Sequence, residues 1–269
     1  MALLENVAFV FVAGLITALA TGLGAIPFFL VDDVGDRWNV VLWGFASGIM
    51  VSASVFGLVF EGLAAAESPL EIVPGLVAGV VLVVVAHEII EGYEVNPRQY
   101  AEADFRKLLL ILGVLTVHSF PEGVAVGVAF ADLGLQTADS AIPIFGLTVP
   151  LLAVFMTVAI SIHNVPEGVA ISIPLRTLGV SEWKMVWWAV FSSLPQPIGA
   201  VVAFLFVRLA REFLPAGFGF AAGAMIYLVV SEFIPEALSI GSGLPGGGKR
   251  ELVGGVAAGV VAMVPLLFV

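Results

Sequence analysis

His118-Ser119-Phe120-Pro121-Glu122-Gly123-Val124-Ala125 recurs further along the chain as His163-Asn164-Val165-Pro166-Glu167-Gly168-Val169-Ala170. Each copy lies inside an apolar run of the length, roughly 20 residues, that carries a helix across a bilayer. Consecutive spans cross in opposite directions, so the two copies are antiparallel. Working outward, the chain reads as an all-α membrane protein of eight transmembrane helices. Spans four and five form an antiparallel repeated pair at its core.

Composition agrees. Of 269 residues, 60% are hydrophobic and only 12% charged, and mean hydropathy is +1.12. Soluble domains are about half apolar and about a quarter charged, so a soluble enzyme, a disordered chain and a secreted scaffold are excluded. The net charge of −11 makes nucleic acid a poor partner. The chain has no cysteine, which excludes disulfides and thiolate metal sites. No Lys or Arg precedes the first apolar stretch, which is too long for a signal sequence, so it reads as a retained membrane helix.

The spans fall at about 6–30, 39–65, 71–93, 107–131, 145–175, 183–207, 215–238 and 250–269. The breaks are short and polar, and none could house a second domain, so 1–269 is one polytopic unit. Pro150, Pro166 and Pro174 should bend or divide the fifth span. Orientation follows from the basic residues. Arg37, Arg98, Arg106, Lys107, Arg176, Lys184, Lys249 and Arg250 fall in odd-numbered loops, against Arg208 and Arg211 in the others. This predicts both termini outside a plasma membrane.

The chain has 3 histidines, and His87, His118 and His163 all fall inside spans. A charged side chain at a helix centre costs about 2.5–3.5 kcal/mol on insertion scales, so intramembrane ionisable groups need a partner. His118 and Glu122 share one helix face by their spacing of four, as do His163 and Glu167. Two imidazoles and two carboxylates suit Zn²⁺ or Fe²⁺. Carboxylates about 4 Å apart repel by about 4 kcal/mol at an effective dielectric near 20. The site should therefore hold a cation or a proton, which makes metal uptake pH-dependent.

Backbone irregularity points the same way. Pro121 and Pro166 cannot donate to the carbonyls of Val117 and Ile162, and each freed carbonyl immediately precedes a motif histidine. Antiparallel repeats with prolines near mid-membrane mark a transporter's binding site. Gly123 and Gly168 allow close helix approach. Ser193-Leu194-Pro195-Gln196-Pro197 in span six reads as a broken helix with an uncharged Gln196 at its centre.

Blander readings apply elsewhere. His87 is as readily a packing residue as a ligand. Gly44, Gly48, Ala221, Ala222 and Gly223 read as packing, and Glu61, Glu67 and Glu71 as solvated. His87-Glu88-Ile89-Ile90-Glu91 lacks the second imidazole of the metalloprotease helix, which argues against proteolysis. Glu88, Glu91, Glu232 and Glu236 are candidates for a second cation stop. No nucleotide-binding loop is present: the glycines of 241–248 lack the required Lys-Ser/Thr ending.

The paired motifs resemble those of the ZIP (Zrt/Irt-like) family of divalent metal transporters. Thr21-Gly22-Leu23-Gly24-Ala25-Ile26-Pro27 is similar to that family's first helix, and the run from Ala221 through Ser231-Glu232 to Pro235-Glu236 to its seventh. The resemblance implies a central transport site with His118, Glu122, His163 and Glu167 as its primary position. It implies a second metal position drawing on Ser119 and Asn164, the two glutamates bridging. Gln196 stands where many bacterial relatives place a carboxylate, so one strong site is expected. The 94–107 loop carries no histidine, unlike the histidine-rich loop of many relatives.

The expectation is therefore transport of a divalent transition metal toward the cytoplasm by alternating access. Zn²⁺ leads, with Fe²⁺, Mn²⁺ and Cd²⁺ compatible as substrates and no prosthetic cofactor. The partners are the metal ion and the lipid bilayer, with a homodimer allowed. The chain is not read as an enzyme. Two other classes stay open: an intramembrane zinc hydrolase with a fixed metal, and a structural or sensory membrane protein.

Overall fold

The computed structural model describes residues 2–31, 34–91, 118–134, 141–177 and 179–267. Helix α1 (Ala2–Leu23) ends in a 3₁₀ turn, Ile26–Phe29. Helix α2 (Asp36–Ser52) widens into a π turn at Ala53–Val59 and continues as α3 (Phe60–Ala65). Helix α4 covers Val73–Glu91, and α5 covers 118–129. After a short hairpin come α6 (Leu151–Thr177), α7 (Glu182–Ser192) and α8 (Pro195–Leu209). Helix α9 (Leu214–Leu228) passes through a second π turn, Val229–Phe233, into α10 (Ile234–Ile240). The last helix is α11 (Lys249–Met263).

Among the described residues, 6 helical stretches are long and apolar enough to cross a bilayer, and the chain is a multi-pass helical membrane protein. Two of the eight expected spans are missing from that set. The first half of the fourth, 107–117, lies outside the described residues, as does the charged loop ahead of it. The eighth is described as the helix Lys249–Met263 with a 3₁₀ turn Val264–Leu267, and its last two residues, 268–269, lie outside the described residues.

The fifth span starts later than expected. Ala141–Ile144 and Leu147–Pro150 pair as an antiparallel hairpin, Ile144 opposite Leu147. Phe145 and Gly146 turn it, with φ of 47° and 80°. Its apolar residues are β-branched at Ile142, Ile144, Thr148 and Val149, which suits a strand, and hydropathy alone does not separate that from helix. Helix α6 then runs unbroken through Pro166 and Pro174, so neither proline divides it. Pro150 precedes the helix. The expected break in span six is present: α7 stops at Ser192 and α8 restarts at Pro195.

Helices pack through small residues, as in membranes generally. Helix α2 lies along α11, α4 along α9, and α1 against both α6 and α8. At the α1–α6 crossing a Cβ on Gly168 would collide with the carbonyl of Thr21. Only glycine lets α1 approach this closely beside Glu167. The core thus wraps the α5–α6 region, and both motif copies are buried.

Candidate metal centre

Helices α5 and α6 bring Glu122, His163 and Glu167 together, with one donor atom of each lying within 4.8 Å of the others. His163 and Glu167 sit one turn apart on α6, the geometry their spacing of four imposes. Each of the three is at most 1% exposed. His163 Nε2 lies 3.3 Å from Glu122 Oε1. Both oxygens of Glu167 and Nδ1 of His163 are buried with no hydrogen-bond partner among the described residues.

Burying a carboxylate without a donor is costly, and this group has two carboxylates within reach of one imidazole. The described arginine pairs lie elsewhere: Arg37 with Glu251, Arg176 with Glu182, Arg211 with Asp132. The donor set is one that a divalent cation would satisfy, two carboxylates and an imidazole being ordinary zinc ligands.

A chain of amides supports Glu122. Asn164 Nδ2 donates to the carbonyl of Thr17 at 2.7 Å and to Gln196 Oε1 at 3.1 Å. Gln196 Nε2 donates to Glu122 Oε2 at 2.5 Å. A carbonyl at one end and a carboxylate at the other only accept, which fixes the polarity of both amides. Gln196 therefore turns its nitrogen toward Glu122, and its oxygen is taken by Asn164. The Gln196 oxygen, the atom of that amide able to coordinate a metal, is thus taken, whereas Asn164 Oδ1 is buried and unpartnered among the described residues. Ser119 is fully buried on α5.

His118 is not in the three-residue group. Its Nε2 lies 3.0 Å from Glu232, so a span-seven carboxylate takes the imidazole expected beside Glu122. His87 Nδ1 reaches the same carboxylate at 3.5 Å. Both histidines line a cavity of about 910 Å³ with Asp36, Glu232, Phe233 and Glu236. Glu88 is exposed on α4, and the side chain of Glu91 lies outside the described residues. Phe233 stacks on His163, centroids 5.6 Å apart and planes at 14°.

Sequence reasoning missed Thr17, Phe233 and the His118–Glu232 pairing. Glu232 carried a signal, an acidic residue inside a span, but nothing local says which histidine it meets. Phe233 and Thr17 carry none, since an aromatic and a threonine are ordinary in membrane helices.

A polytopic helical bundle with a buried cluster of one imidazole and two carboxylates defines a multi-pass membrane protein with a group that could hold a cation. The family model described as ZIP Zinc transporter matches residues 94–264, and the chain belongs to this family of transporters. It is 30% identical over 264 residues to zinc transporter GufA of Myxococcus xanthus, covering 93% of this chain and 94% of that one. An Arabidopsis thaliana protein bearing a zinc-transporter name is 40% identical over 221 residues, 82% of this chain but 33% of its own length. Zinc transporter ZIP11 of Xenopus tropicalis is 38% identical over 151 residues, 55% of this chain and 42% of its own. The chain thus spans less than half the length of these last two relatives.

Proposed function

We propose that this chain carries a divalent transition metal, zinc foremost, across the plasma membrane toward the cytoplasm. The observation that carries the reading is Glu167, whose two buried oxygens have no donor among the described residues and which lies within reach of Glu122 and His163. The two glutamates supply charge, and the imidazole biases the group against Mg²⁺ and Ca²⁺, which prefer oxygen ligands. Gln196 holds one oxygen of Glu122 and leaves the other facing His163, so one ion is held at a time. Asn164 Oδ1 is a further donor.

The cavity is lined by the start of α2, the ends of α4 and α6, and the end of α10. The bias of basic residues toward the loops beside these ends supports a cytoplasmic face here, with both termini outside. The ion passes from the buried group to His118 and Glu232 and then into the cavity. Helices α5 and α6 move against the rest so that the group faces each side in turn, and no bond is made or broken in any substrate.

The test is flux into proteoliposomes with Zn²⁺, Fe²⁺, Mn²⁺ and Mg²⁺ in parallel. The expected result is Zn²⁺ flux well above that of Mg²⁺, with loss of about 100-fold in Glu167→Ala, since the variant removes an unshared ligand. Equal flux in the variant would remove Glu167 from the path. No Zn²⁺ flux above empty liposomes would overturn the transport reading.

A further inference from the structure

The cavity stops one side chain short of the metal group. It reaches His118, Glu232 and Phe233, but Glu122, His163 and Glu167 are not among its lining residues. Phe233 belongs to both places. It lines the cavity, is 2% exposed, and is stacked on His163. Trp43, itself part of the cavity wall, braces the ring edge-on at 4.8 Å.

The backbone explains why two neighbouring residues both serve this wall. Glu232 and Phe233 close the π turn Val229–Phe233. Its i→i+5 bonding widens the turn and brings successive side chains closer in angle than an α-helix does. Glu232 faces His118 while Phe233 faces His163. Such single-turn π segments are costly relative to α-helix and cluster at functional sites.

We infer that Phe233 is the barrier between the buried metal group and the cavity, and that its ring leaves the face of His163 whenever an ion passes. This rests on the transport reading above. The ring contributes no ligand atom; affinity belongs to Glu122, His163 and Glu167, and Phe233 sets how fast the ion exchanges with the cavity. A change of χ1 to another staggered well is enough to swing the ring aside. Its π face tolerates a nearby cation, so the barrier is steric.

The chain's lack of cysteine makes accessibility the direct test. A single thiol introduced by Asn164→Cys, at a fully buried position beside Gln196 and next in sequence to His163, is labelled with a charged methanethiosulfonate reagent in the metal-free full-length protein. Adding Phe233→Ala should raise its labelling rate about tenfold, the scale of a gating step made non-limiting. In a cysteine-free background Phe233→Ala should speed Zn²⁺ flux and Phe233→Trp should slow it, with equilibrium Zn²⁺ binding within about threefold of wild type, because the ligands are untouched. Phe233→Leu, which preserves bulk, guards against misfolding of the alanine variant and should fall between it and wild type. Unchanged labelling and flux in all variants, with wild type still carrying Zn²⁺, would overturn the barrier and place the route past His118 alone. Loss of Zn²⁺ binding with Phe233→Leu would overturn it too, making the ring part of the binding set. Absence of wild-type flux with normal labelling shifts would instead count against transport.

Discussion

Among the described residues, nothing donates a hydrogen bond to either buried oxygen of Glu167, whereas Glu122 has the Gln196 amide. Substituting a buried carboxylate by its amide keeps shape and removes charge, so Glu167→Gln should weaken Zn²⁺ binding by about 10–100-fold, the range for losing a metal-site partner. Calorimetric titration of detergent-solubilised protein would measure it. Gln196→Glu should act oppositely on stoichiometry. It removes the N–H donated to Glu122 and sets a third carboxylate beside two others, a repulsion of several kcal/mol at close range that a second cation relieves. Metal content per chain should rise from one ion to two, and an unchanged value would show that the amide does not set the number.

At the scale of elements, the helix seams decide stability. Gly254 and Gly255 are consecutive on α11. A Cβ on Gly255 would strike the carbonyl of Val41 on α2, while one on Gly254 meets nothing within 4 Å. Gly255→Ala should therefore cost about 1–3 kcal/mol as overpacking. Gly254→Ala should leave stability unchanged or raise it by up to about 1 kcal/mol from helix propensity. Thermal unfolding of the two variants side by side separates close approach from composition. The same contrast shows what was legible beforehand. Gly44 and Gly48 read correctly as packing residues, and the break at Ser193–Pro195 followed from Pro195 and Pro197. The hairpin at 141–150 was not legible, because its β-branched residues are as apolar as a membrane helix. The continuity of α6 through Pro166 was not legible either. A lost backbone bond inside a packed bundle is tolerated when the neighbours hold the helix, and those neighbours are distant in sequence.

For the whole molecule, a bundle in which buried Glu167 has no donor among the described residues should be stabilised by a bound cation. Zn²⁺ at about 100 times its Kd should add about 2.7 kcal/mol to the folded state, and Mg²⁺ at the same concentration should add far less. A melting temperature raised equally by both ions would argue against a His-containing site. Family and cation chemistry were readable from the duplicated motif, since His163 and Glu167 meet through local helix geometry. The partners of His118 were not, because Glu232 reaches it from the other end of the chain. In the proposed transport reading, Glu122, His163 and Glu167 hold the ion in the interior of the bundle. Anomalous diffraction at the zinc edge from crystals grown with Zn²⁺ would locate it. The expected peak lies about 2.0–2.2 Å from donor atoms of all three residues. A peak confined to the cavity, at His87, His118 and Glu232 with none at the buried group, would contradict it.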